Sequence, residues 1–203
     1  TKIKIFKRNK SKDVVIVEAV RTPIGGYKGS LRNMKAHKLG SVVINEILRR
    51  SKIKDNEIDE VIMGQVLTAG AGQNPARQAA INAGIPISKP AYIVKPVCGS
   101  GLTAVISGYQ STKLGEVKKV ICGGQENMSI APHSIFNREE KNISKEKLVD
   151  TMINDGLLDA FNNYHMGVTA ENVAERFSIS KADQDDFAFN SPKKTQDAIN
   201  NNK

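Results

Sequence analysis

Residues 90–105, PAYIVKPVCGSGLTAV, decide how the chain is read. The apolar run 91–97 predicts a strand, which Pro96 ends or sets at a bulge. Residues 99–114 then predict a helix, with Leu102, Val105, Ile106 and Tyr109 spaced for one buried face. Cys98 falls at the corner between them, beside Gly99, Ser100 and Gly101. Peptide N–H groups at a helix start lack intrahelical partners and carry partial positive charge. That setting favours thiolate over thiol. The same groups can hold the oxyanion of an acyl transfer. Glycines at 99 and 101 would let a substrate carbonyl approach the backbone. Two readings stay open on the residues alone: an activated cysteine, and a small structural cysteine buried at a Gly-rich turn.

Working outward, VVIVEAV (14–20) predicts a buried strand, followed by the turn-rich RTPIGGYKGSL. Residues 35–50 predict a helix with Leu39, Val43 and Ile47 on one face. IDEVIMGQV (58–66) predicts a strand, and Pro75 suits the first turn of a helix running to about Gly84. VKKVIC (117–122) predicts a fourth strand, closed by Gly123 and Gly124. Strands alternating with helices define an α/β domain with a largely parallel core. After Gly124 the periodicity fades, and 125–165 reads as a functional excursion or subdomain. A helix follows over 170–177, and Ser180 with Asp183 marks another helix start. Pro192 inside that helix costs roughly 3 kcal/mol unless the helix kinks or ends. The expected divisions are a basic leader at 1–12, a core domain at 13–124, and a loop subdomain with helices at 125–203, incomplete at its C-terminus.

Composition narrows the function classes. No apolar stretch approaches the roughly 20 residues of a membrane span, and the first residues lack a signal peptide's apolar core. Cys98 and Cys122 are too few for a disulfide scaffold and have no metal-ligand company. A reducing, cytoplasmic setting without a metal is the expectation. The net charge is +9, but six lysines and arginines without an acid fill residues 1–12, so +9 less +6 leaves +3 for the rest. That pattern reads as a solvated tail or, more weakly, a targeting leader. Basic residues interleaved with aromatics do not recur, which speaks against nucleic-acid binding.

VCGSGLTAV resembles the nucleophile segment of the thiolases. VVIVEAVRTPIGGYKGSL resembles that family's N-terminal segment, and GQVLTAGAGQNPARQAAINAGIP its dimer-contact region. GGQENMSIAPH and the stretch from Asp155 to Ala188 resemble its loop domain. The resemblance implies an N-terminal thiolase domain: a mixed five-stranded sheet with helices on both faces, its last strand missing, plus part of a loop subdomain. It implies acyl transfer through an acyl-cysteine intermediate on Cys98, joining two acetyl-CoA into acetoacetyl-CoA plus CoA, or the reverse thiolysis. No cofactor is implied beyond the coenzyme A thioesters that serve as substrates. The HMG at 165–167 is more like the short-chain acetoacetyl-CoA enzymes, in which the positions of Leu157, His165 and Met166 lie along the CoA and acyl pocket. His165 could instead be a core histidine bonded to backbone, and His133 reads as support for the loop domain. A homo-oligomer, dimer or tetramer, is implied for the full-length parent, with no nucleic-acid or membrane partner.

The sequence also departs from the family. Thiolase subunits are usually about twice as long. The G-H-P and C-x-G-G motifs that carry the activating histidine and the acid/base cysteine do not occur in these 203 residues. On this reading the chain is truncated and inactive alone. Lys95 stands where the family usually has Asn, and either lowers the cysteine pKa or points to solvent. A different class of reading is a non-catalytic thiolase remnant or dimerisation module. A third is another condensing enzyme such as a ketoacyl synthase, which HMG and GQNPARQ argue against.

Overall fold

The computed structural model describes residues 13–136 and 148–202, and the basic leader lies outside them. Two compact units divide between Gly156 and Leu157. The first is built on three parallel strands, β1 (Glu60–Gly64), β2 (Ala91–Val94) and β3 (Val120–Gly124), in the order β2-β1-β3. Register runs Ile62 beside Tyr92 on one flank and beside Cys122 on the other. Successive side chains point to opposite faces. Val61 and Met63 of β1 and Ile121 of β3 therefore face one way, into the hydrophobic core.

Helices cover both faces. On the core face α2 (Pro75–Asn82) lays Ala76, Ala79 and Ala80 on the sheet, and α1 (Ala36–Ser51) stacks on α2 through Ile44. α2 starts as its residues dictate: Asn74 accepts the Arg77 N–H as N-cap, and Pro75 takes the first position. α1 turns inward through His37, Gly40, Ser41 and Ile44, one step round from the expected face of Leu39, Val43 and Ile47, which end half-buried.

The opposite face carries α3 (Ser100–Leu114), and here the expected packing is reversed. Ser100, Ala104 and Gly108 are buried, whereas Leu102 is 68% exposed and Tyr109 50%. The cause is proximity. A Cβ on Gly108 would overlap the Sγ of Cys122, and one on Gly64 would overlap the Ser100 backbone. A helix that close to a sheet admits only its small residues, so the large ones turn outward.

The strand expected at 14–20 is also corrected. That segment has no ladder partner among the described residues, and Val15, Ile16 and Val17 stand 68–78% exposed. An apolar, β-branched run becomes a strand only where another strand takes up its N–H and C=O groups. Among the described residues the sheet thus has three strands, one fewer than the four expected once the last of the five is missing. Later in the first unit, β4 (His133–Ser134) pairs antiparallel with β5 (Val149–Asp150), and α4 (Thr151–Gly156) follows.

The second unit holds a short turn and the helices α5 (Met166–Arg176) and α6 (Lys181–Asn200). α5 begins four residues before the expected start, because His165 caps it. α6 opens on the expected reciprocal cap, with Ser180 Oγ accepting from the Asp183 N–H and Asp183 accepting from the Ser180 N–H. Pro192 neither ends nor splits it: the helix runs on to Asn200. The ring leaves the Ala188 carbonyl without its usual donor.

Gly108→Ala is expected to destabilise the chain by about 1–3 kcal/mol through overpacking. Adding Cys122→Ala should recover a large part of that loss, measured as a double-mutant cycle by urea unfolding. Equal losses with and without Cys122 would exclude the contact as the cause.

Candidate active site

The carboxyl ends of the three parallel strands converge where α3 begins. In open α/β sheets this is the end outside which ligands bind. Gly64, the last residue of β1, touches the Ser100 backbone, and Gly124, the last of β3, has its Cβ direction 3.4 Å from the Gly101 Cα. β2 runs out at Val94, and Lys95, Pro96 and Val97 carry the chain across to Cys98.

Cys98 sits in a single 3₁₀ turn, Val97–Gly99, and its side chain belongs to an exposed residue. The turn is bought with strain at Val97, whose φ of 44° is left-handed and costs a β-branched residue on the order of 1–3 kcal/mol. Three bonds hold it. Gly99 N–H donates to the Pro96 carbonyl at 3.0 Å, and Ser100 Oγ donates to the Val97 carbonyl at 2.6 Å. The Ser100 N–H donates to that same carbonyl. Two of the helix-start donors expected to be free are therefore engaged. The N–H of Cys98 itself makes no hydrogen bond among the described residues.

A buried polar network fastens the ends of β1 and β3. Gln125 Nε2 donates to Gln65 Oε1 at 2.9 Å, and Gln65 Nε2 donates to the Leu67 carbonyl at 2.7 Å. The Glu126 carboxylate accepts the N–H groups of Val66 and Leu67 at 2.6 and 3.2 Å. Burial pushes the Glu126 pKa up, against those two bonds and the charge of Lys95. Lys95 is exposed, and its charge weakly favours the Glu126 carboxylate. Sequence reasoning missed Gln65, Gln125 and Glu126. The signal was available: three polar residues at strand ends, where a buried side chain can bond a neighbouring loop.

Cys122 lies on β3, half-buried under Gly108. Burial, then the nearby Glu60 carboxylate, pushes its thiol up to about 11. Cys122 is a small packed cysteine. His133 is exposed, with Nε2 4.0 Å from the Asp150 carboxylate across the β4–β5 pair.

In the second unit Leu157, His165 and Met166 are brought together by one turn. Met166 N–H donates to the Leu157 carbonyl at 2.8 Å, and Leu158 bridges His165. Asp159 closes the turn by accepting from the N–H groups of Phe161 and Asn162. His165 is exposed rather than buried in a core, and its Nδ1 accepts the Gly167 N–H at 3.0 Å as the cap of α5. Among the described residues no three His, Cys, Asp or Glu side chains are grouped to hold a metal. No helix there is long and apolar enough to cross a membrane.

A parallel α/β sheet, helices on both faces and a cysteine turn at the strand ends define the class of scaffold. The chain belongs to the thiolase family: residues 14–203 match the thiolase N-terminal domain. It is 52% identical over 187 residues to an acetyl-CoA acetyltransferase of Cupriavidus necator, covering 92% of this chain and 48% of that protein. It is 50% identical over 184 residues to the Paracoccus denitrificans acetyl-CoA acetyltransferase, covering 91% and 47%. It is 48% identical over 188 residues to the cytosolic acetyl-CoA acetyltransferase of Rattus norvegicus, covering 93% and 47%. The fold superimposes with a TM-score of 0.89 on a thiolase from Ascaris suum crystallised with coenzyme A, at 37% identity, over 94% of this chain and 50% of that one. The chain thus spans about half the length of the curated relatives it matches.

In the folded chain iodoacetamide should modify Cys98 and spare Cys122, which at mildly alkaline pH is ionised in about one molecule in a thousand; denaturant should expose both, read by peptide mass mapping. The raised Glu126 pKa means that the folded chain holds this proton more tightly than the unfolded one. Its stability contribution therefore falls as pH rises through the folded pKa. As pH rises from about 4 through the folded pKa, the wild type should lose stability relative to Glu126→Gln, whatever the constant offset between them. A pH-independent difference would show that the carboxylate is not held in this way.

Proposed function

We propose that this chain carries the nucleophile of an acetyl-CoA acetyltransferase that condenses two acetyl-CoA into acetoacetyl-CoA and CoA, and runs the reverse thiolysis. The observation that supports this best is an exposed cysteine, Cys98, in a strained turn at the open end of the sheet, in a chain of the thiolase family. Cys98 Sγ attacks the carbonyl carbon of acetyl-CoA. The carbon–sulfur bond to coenzyme A breaks, and coenzyme A leaves as the thiol with the proton that Cys98 gives up. The acetyl group is then held as a thioester on Cys98. The unpaired Cys98 N–H is the donor we assign to the oxyanion of that step.

By the same family resemblance we assign Leu157, His165 and Met166 to binding coenzyme A. The structure of the Ascaris suum thiolase with coenzyme A supports a coenzyme A site in this family. A homo-oligomer and a cytoplasmic location belong to the same reading. The 203 residues contain neither a G-H-P nor a C-x-G-G segment. We therefore expect them to perform the acylation half-reaction slowly and not the carbon–carbon bond formation, for want of a general base. The second reading, a non-catalytic interaction module, draws on the exposed apolar run at Val15–Val17.

Intact-protein mass spectrometry after incubation with acetyl-CoA tests the two. The expected result is a gain of one acetyl group that Cys98→Ala abolishes and Cys122→Ala leaves unchanged. A folded chain, verified by circular dichroism, that gains no acetyl group would favour the interaction module.

A further inference from the structure

A cavity of about 300 Å³ opens at the start of α1, within the first unit. Three segments wall it: the first turn of α1, the loop after β1, and the segment after β3. Cys98 and its turn are not among the walls, so the cavity stands apart from the chemistry proposed for that residue.

One end of the cavity is set up for negative charge. α1 starts without a cap: Lys35, at the N-cap position, makes no side-chain bond to the first turn, and no acid stands in that turn. The N–H groups of Ala36 and His37 accordingly find no acceptor among the described residues. They are unpaired donors at the positive end of the helix dipole. The second observation is independent of the helix. His37 is only 8% exposed, it lines the cavity, and neither ring nitrogen has a hydrogen-bond partner among the described residues. Burial, then the charges of Lys35 and Lys38, holds its pKa below the ordinary value. Lys38 donates to Asn82 Oδ1. No acidic side chain lines the cavity, and the walls outside α1 contribute no titratable group.

The rest of the cavity is apolar in effect. Leu67, Ile130 and Pro132 line it, and the two amides there are already engaged. Asn127 Nδ2 donates to the carbonyls of Leu31, Arg32 and Met34, while Gln65 bonds Leu67 and Gln125. A bare inorganic anion would leave this part unfilled. We propose that the cavity is a binding site for a short aliphatic carboxylate, its head group on the uncapped start of α1 and on His37, its tail against Leu67, Ile130 and Pro132.

The chain has three histidines, which makes the test internally controlled. Imidazole NMR resonances of the 203-residue chain would be followed during titration with hexanoate and, separately, with inorganic phosphate. The expected result is a saturable shift of His37 with hexanoate, His133 and His165 unmoved, and a His37 pKa that rises on binding because the anion stabilises the imidazolium. Lys35→Glu should weaken hexanoate binding about fivefold. Ile130→Ala should weaken hexanoate and leave phosphate unchanged. Cys98→Ala should leave both titrations unchanged, which separates failure here from failure of the acyl-transfer reading. Equal saturation by phosphate and hexanoate would overturn the aliphatic assignment. No shift of His37, or all three histidines shifting together, would overturn the site.

Discussion

The first unit depends on how closely α3 approaches the sheet. Gly64 and Gly124 at the strand ends, and Gly108 further along the helix, are points where backbone meets backbone or a sulfur with no side chain between. This approach places the start of α3 directly over the carboxyl ends of β1 and β3. It also dictates which residues of α3 are buried, since only Ser100, Ala104 and Gly108 fit. The same contact that creates the cysteine turn therefore pushes Leu102, Val105, Ile106 and Tyr109 outward.

Strain and polar bonding then finish what packing begins. Val97 in the left-handed region points the chain so that Cys98 emerges to solvent, and Ser100 Oγ holds the Val97 carbonyl in place. Gln65, Gln125 and Glu126 tie the ends of β1 and β3 to the following loop. The Oε1 of Gln125 has no partner among the described residues and faces Gly40, so α1 too must present a residue without a side chain at that point. Cys122, on the strand beneath the same helix, shows the opposite outcome: packed, with its thiol pushed up by burial.

The described residues also leave apolar surface uncovered. The run Val15–Val17 and the outer face of α3 are exposed together with Val97. Apolar surface, where it is contiguous, ordinarily marks an interaction face. The relatives this chain matches are about twice its length.

The sequence by itself determined the alternation of strands and helices, the caps at Asn74 and Ser180, and the corner position of Cys98, because each rests on local spacing and near-neighbour bonding. Family motifs carried Leu157, His165 and Met166, which one local turn does gather. Tertiary structure alone decided which face of α3 is buried, that 14–20 stays unpaired, that Pro192 leaves α6 continuous, and that Gln125 bonds Gln65 while Glu126 takes up the N–H groups after β1. The reason is physical. Periodicity reports which residues share a face but not how near the neighbouring element comes, and at contact distance a glycine outranks a leucine.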